Sequence, residues 1–159
     1  MSLTIHIGQC GIEIGDAMLK TLKTHAEAHP DETSDLFKNY QKSQNSNSHI
    51  PNSQISEQLF TPNCLLLDTE EKVVNKTIKN GLLSGIDYKH HWSKFSGSGN
   101  NWAHGYNGHA EGSKVEILEK IQKVLEPMDS CESICLIHSL AGGTGSGLGT
   151  GVFRELLLS

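Results

Sequence analysis

With 13 Lys and Arg against 18 Asp and Glu, this chain of 159 residues carries a formal net charge of -5 and has a sequence pI near 6.0. It is long enough for one domain with a real core, and without a dense Lys/Arg face it excludes nucleic acid as the main partner. No apolar run reaches a spanning length, and Met1-Ser-Leu-Thr-Ile-His-Ile7 lacks the basic start and long apolar stretch of a signal peptide, so no membrane partner is expected.

Leu3 to Ile7 is a short β-prone run, turned by Gly8-Gln-Cys-Gly11. Ile14, Met18 and Leu22 then recur at helical spacing, with Ile12 and Leu19 alongside, which predicts one apolar stripe of a helix. Between about 26 and 58, Ser, Asn, Gln, His and Pro crowd the chain, too polar to order alone, and a long exposed loop is expected, with a short turn near Leu36 to Tyr40. Asn63-Cys-Leu-Leu-Leu-Asp68 reads as a buried strand whose carboxyl end presents Asp68 and Glu70, the end at which open α/β sheets hold ligands. A hard cation such as Mg2+ keeps its waters and takes few carboxylates, so Glu70 can serve a metal-bound water. Asp68 or Thr69 can equally cap a helix over 70–79 that Gly81 ends.

His90, His91, His104 and His109 follow no zinc spacing with the cysteines, and no metal site is expected among them. Asn100 and Asn101 are stronger candidates, because a carboxamide can donate to a phosphate oxygen while its neighbour holds the loop. Trp102 and Tyr106 are expected to anchor that loop in the core. Val115, Leu118, Ile121 and Leu125 predict a helix that Pro127 stops. Cys10, Cys64, Cys131 and Cys135 form no C-x-x-C pair and predict reduced thiols in the cytosol.

Ile134 to Ile137 reads as a buried strand that enters Ser139-Leu-Ala-Gly-Gly-Thr-Gly-Ser-Gly147 and then an apolar helix. Glycines let backbone N-H groups converge on an anion, the following helix adds unpaired donors, and Ser139 and Thr144 add hydroxyls. Three known patterns fail here. The P-loop needs Gly-Lys-Ser/Thr, but Gly145 is followed by Ser146 and Gly147. The dinucleotide spacing G-x-G-x-x-G ends on Leu148 or Thr150, and a nucleophile elbow lacks its first glycine before Ser139 or Ser146. A glycine-rich helix entry without a ligand remains the structural alternative. His138 and Ser139, as neighbours on a strand, point to opposite faces and form no dyad.

Ala141-Gly-Gly-Thr-Gly-Ser-Gly147 resembles the phosphate loop of the tubulin superfamily. Ile7-Gly-Gln-Cys-Gly-Ile-Glu-Ile-Gly15 is similar to that family's first strand-to-helix turn, and Gly97-Ser-Gly-Asn-Asn-Trp-Ala-His-Gly-Tyr106 to its asparagine loop, in the same order, with Leu65 to Glu70 between. The wording of the asparagine loop, and Ala141, are most similar to delta-type tubulins of centrioles and basal bodies. The family usually has Glu-Pro where this chain has Glu70-Glu71.

The resemblance implies a Rossmann-like α/β fold, a parallel sheet with helices on both faces, over residues 1–159 as the N-terminal portion of a GTP-binding domain. The last residues, Arg154 to Ser159, stop inside a helical pattern, in keeping with a fragment. The implied cofactors are GTP and Mg2+. Gly8, Gln9, Cys10, Asp68, Asn100, Ser139, Ala141, Gly142, Gly143, Thr144, Gly145, Ser146 and Gly147 are expected at the nucleotide, and Glu70 at the metal. Other tubulin subunits or centriolar proteins are the implied partners, and the cytoskeleton (microtubule, centriole or basal body) the implied location. Hydrolysis would need residues absent from this chain. A non-hydrolysing structural fragment and an unrelated nucleotide-dependent enzyme are the rival readings.

Overall fold

A computed structural model describes residues 1–28 and 60–158. Strand β1 (Ser2–Ile7) runs straight into helix α1 (Gly8–Ala28), without an intervening loop. Then come β2 (Cys64–Asp68), α2 (Glu71–Leu83), β3 (His90–Ser93), a wide π-type turn (His104–Ala110) and α3 (Lys114–Leu125). Strand β4 (Ser133–His138), a second π-type turn (Thr144–Leu148) and α4 (Gly149–Leu158) complete the described order.

The strands form one parallel sheet in the order β3-β2-β1-β4. Side chains alternate across it, as the pleat requires. Leu3, Ile5 and Ile7 of β1, with Leu65 and Leu67 of β2, face Ile117, Ile121 and Val124 of α3, and Leu148 and Val152. On the other face Cys64 and Leu66 meet Ile12, Leu19 and Ala26 of α1, Val74 of α2, and Ile86 and Tyr88. Helices thus cover both faces, the Rossmann-like arrangement expected from the sequence.

From β1 the chain steps outward to β2 and β3, then returns to the other side of β1 for β4. That reversal places a topological switch point between β1 and β4, where a crevice opens beyond the carboxyl ends of the strands. Ile7 is level with Leu67 on one side and His138 on the other. Gly8, Asp68 and Ser139 therefore leave the sheet along one edge.

Several expectations are corrected. The Gly8 to Gly11 turn is already helix, and Ile14 is exposed because the buried stripe of α1 runs through Ile12, Gly15 and Leu19. Likewise α3 buries Ile117, Ile121 and Val124 and exposes Val115. β3 was not foreseen, and among the described residues β4 is an edge strand whose residues are exposed or half-buried. Residues 26–28 belong to α1; the rest of the polar stretch, with the expected turn near Leu36 to Tyr40, lies outside the described residues. Among the described residues no helix is long and apolar enough to cross a membrane.

Gly81 does not end α2 but lies inside it, where any side chain would run into the ring of Tyr88. That ring is held in place by its hydroxyl, which donates to Asp16 Oδ1 at 2.7 Å. Alanine at Gly81 gains about 1 kcal/mol of helix propensity, yet overpacking costs about 1–3 kcal/mol. Gly81→Ala is therefore expected to lower stability in a urea titration by up to about 2 kcal/mol. A more stable variant would contradict the seating of α2 on Tyr88.

Candidate functional site

Beyond the carboxyl ends of β1, β2 and β4 lies an open cleft of about 470 Å³. Of the residues singled out in the sequence, Gln9, Cys10, Asp68, Glu70, Asn100, Ser139, Ala141, Gly142, Gly143, Thr144 and Gly145 line it. Gly8 lies beneath: it adopts φ +73°, and a Cβ there would stand 2.8 Å from the amide nitrogen of Gly145. Only glycine combines that dihedral with that approach. The two glycine corners, 131 residues or more apart in sequence, thus meet at one hollow.

Ser146 and Gly147 do not line the cleft. The Ser146 hydroxyl donates to the Gly142 carbonyl, and a side chain at Gly147 would collide with the backbone of Trp102 and Tyr106. Both brace the loop from behind. Ser139 borders the cleft, but its hydroxyl donates to Ala141 O at 2.8 Å, so it is turned back on its own loop rather than offered as a donor. His138 Nδ1 meets the Ser139 carbonyl oxygen at 3.1 Å, not the hydroxyl, so no Ser-His pair forms.

Gly142 adopts φ +87°, and a Cβ there would lie 3.1 Å from Asn100 Oδ1, which places the Asn100 carboxamide against the glycine loop. Asn100 itself has a positive φ of 55°, a conformation that asparagine tolerates better than most side chains. Asn101 holds the turn that follows, its Oδ1 accepting the His104 N-H at 3.3 Å. Trp102 is not in the core: it is half-exposed and stacks on Tyr106, with ring centroids 4.8 Å apart. Arg154 of α4 sits over the Tyr106 ring.

Electrostatically the cleft is acidic. Among the described residues Glu13, Asp68 and Glu70 line it, and no Lys or Arg does. Gln9 Nε2 donates to Glu13 at 3.1 Å, and Lys72 pairs with Glu70 at 2.7 Å from the exposed start of α2. Asp68 is buried; its Oδ1 accepts the Glu70 N-H at 3.0 Å, whereas Oδ2 is buried with no hydrogen-bond partner among the described residues. Burial, chiefly, pushes its carboxyl from the ordinary 3.8 up to about 6.

An orphaned carboxylate oxygen beside Glu70 fits a hard divalent cation. Among the described residues no three His, Cys, Asp or Glu side chains gather as a ligand set. The protein would then supply one or two carboxylates and leave the remaining positions to water and ligand, the habit of Mg2+. The amides at the start of the helix after Gly143 have no intrahelical partner and suit an anion.

Sequence reasoning missed Glu13, Val73, Ser98 and Gly99 as lining residues. It weighed Thr69 only as a cap, yet Thr69 is fully buried with Oγ1 2.6 Å from Thr144 Oγ1. A buried strand followed by a hydroxyl residue was the available signal.

Fold and cleft together define a doubly wound α/β protein with an open cleft at the switch point. Comparison with known proteins is more specific. The family described as "Tubulin/FtsZ family, GTPase domain" matches residues 2–157, and the chain belongs to that family. It is 35% identical to the tubulin epsilon chain of Mus musculus over 162 aligned positions, which cover 98% of this chain and 34% of that protein. The tubulin delta chain of Canis lupus familiaris is 34% identical over 157 positions, 97% of this chain and 34% of that protein. The chain thus spans about a third of the length of these relatives. Delta and epsilon chains match it almost equally, so the delta-type likeness extends to epsilon.

Because the folded-state pKa of Asp68 is raised, its own contribution to the stability of the ligand-free protein is fully present below pH 3.8, is lost as pH rises to about 6, and is then level. At 1.36 kcal/mol per unit this reaches at most about 3 kcal/mol. Asp68→Asn keeps an acceptor for the Glu70 N-H and removes the titration. Urea titrations at pH 4 and pH 7.5 should show the variant losing less stability between them than the wild type. Equal losses would contradict the burial of this carboxyl.

Proposed function

We propose that the cleft holds the phosphates of GTP, taken up as the Mg2+ complex, and that this chain is the phosphate-holding portion of a tubulin-type nucleotide domain. The observation that carries the reading is the meeting of the Gly8 and Gly142 to Gly145 corners at one hollow, in a chain of the Tubulin/FtsZ family. The helix N-termini at Gln9 and Thr144 offer amides to the phosphates, and Thr144 adds a hydroxyl. Asn100 approaches the terminal phosphate and Cys10 borders the nucleotide. Asp68 and Glu70 hold the cation or its waters. Bound Mg2+ supplies the positive charge that the lining side chains lack. Preference for guanine rests on family membership.

In this reading the chain holds the nucleotide and does not hydrolyse it alone. Glu70 is paired with Lys72, Glu13 with Gln9, and the Ser139 hydroxyl with Ala141, while Asp68, whose Oδ2 has no partner among the described residues, is assigned to the cation. Hydrolysis, if it occurs, belongs to assembly with other tubulin subunits. The relatives are named delta and epsilon tubulin chains, which supports a cytoskeletal setting, with centriole or basal body and their proteins as location and partners. A fixed, structural nucleotide is the second reading, favoured by the pairing of Glu13 and Glu70.

Calorimetric titration with GTP, ATP and NAD, each with Mg2+, tests the proposal. GTP is expected to bind in preference to the others, and Thr144→Val to weaken it by about 1–3 kcal/mol through one lost donor to a charged group. Preference for NAD, or no nucleotide binding, would remove the reading.

A further inference from the structure

At the cleft wall three hydroxyls from three separate segments converge. Thr69 follows β2, Ser98 lies in the connection after β3, and Thr144 opens the turn before α4. Thr69 and Ser98 are buried, and of the three Thr69 alone is set back from the cleft, which Ser98 and Thr144 border. Thr144 Oγ1 is 2.6 Å from Thr69 Oγ1 and 3.0 Å from Ser98 Oγ, whereas Thr69 and Ser98 are 3.3 Å apart.

Each hydroxyl has one proton and two acceptor lone pairs. If the three donated in a ring, every proton would be consumed internally and the cleft would gain none. A ring needs all three contacts, and the usual range for O-H to O bonds is about 2.5–3.0 Å. The two contacts to Thr144 fall within it, and the contact between Thr69 and Ser98 falls outside. The distances exclude the ring and leave a chain through Thr144 or a converging pattern; only the converging one, in which Thr69 and Ser98 both donate to Thr144 Oγ1, leaves the Thr144 proton unused. With both lone pairs filled, the Thr144 proton is left for the cleft, and accepting two bonds makes that proton a stronger donor.

We propose that Thr69 and Ser98 are positioning residues that set Thr144 as a donor aimed into the cleft, so that an anion there closes a bond network across all three segments. This rests on the nucleotide reading above. The Thr69 hydroxyl touches no ligand in this scheme and acts only through Thr144.

The test is calorimetric titration of the full chain with Mg2+-GTP, comparing the wild type with Thr69→Val, Thr69→Ser, Ser98→Ala, Thr144→Val and the Thr69→Val/Thr144→Val double variant. Melting of each ligand-free protein is followed in parallel. Thr69→Val is expected to weaken binding about three- to tenfold, the scale of one hydrogen bond, and Thr69→Ser to restore it. The double variant should bind no worse than Thr144→Val alone, since coupled residues are not additive. Wild-type affinity in Thr69→Val, or effects that multiply in the double variant, would overturn the inference and leave the nucleotide reading intact. Absence of GTP binding by the wild type would overturn both. Should Thr69→Val fail to fold, Ser98→Ala is read against Thr144→Val, because Ser98 also borders the cleft: a loss that vanishes in the Ser98→Ala/Thr144→Val double variant supports the inference, and unchanged binding or losses that multiply overturn it.

Discussion

A side-chain carbon at Gly8 would stand 2.8 Å from the amide nitrogen of Gly145 and 3.1 Å from its Cα, so the two corners touch main chain to main chain. Remove that contact and the cleft has no floor. The constraint arises from topology: β1 and β4 are neighbours with opposite onward paths, and their carboxyl ends must be bridged by whatever follows them. Any residue with a Cβ at position 8 would push the loops apart and also strain the dihedral. The same logic runs outward, since Gly143 would meet Ser98, and Gly105 and Gly147 let the turn at His104–Ala110 lie against the loop. Four segments distant in sequence are thereby drawn around one hollow without side chains filling it.

The charge of the hollow follows from a second constraint. A carboxylate at the end of a fully buried strand is desolvated whether or not a ligand is present, and Asp68 shows this in its raised pKa and its unpartnered oxygen. Such a group is unfavourable in the empty protein and becomes favourable only beside a cation. Stability and ligand binding therefore pull in opposite directions at this residue, a trade seen wherever a site is arranged ahead of its ligand.

Much of this was legible before coordinates. Strand, glycine corner and helix follow one another in the residue types, and a motif such as Ala141 to Gly147 reports backbone geometry directly, because its glycines exist for the backbone. Helix phase was less legible. Ile14 and Val115 fit an apolar stripe as well as Ile12 and Ile117 do, and only packing on the sheet selects between stripes. β3 was hidden because His90 to Ser93 lacks an apolar run; its partner β2 and the burial of Trp92 make it a strand. Gly81 looked like a terminator when its reason is the Tyr88 ring, a contact between segments that no local pattern records. The hydroxyl trio was invisible for the same reason. β4, expected to be buried, has β1 on one side only among the described residues, and its own Ile134 and the neighbouring Leu140, Phe153 and Leu157 are exposed. An apolar, unpaired edge of this kind favours association.

The most direct test of the shared hollow is amide-resolved NMR of the 15N-labelled chain during titration with Mg2+-GTP. The expected result is that the amides of Gln9 and Cys10 and those of Gly142 to Thr144 shift together, saturating with one common dissociation constant. Shifts confined to one corner, or two corners that titrate independently, would contradict a single site built from both.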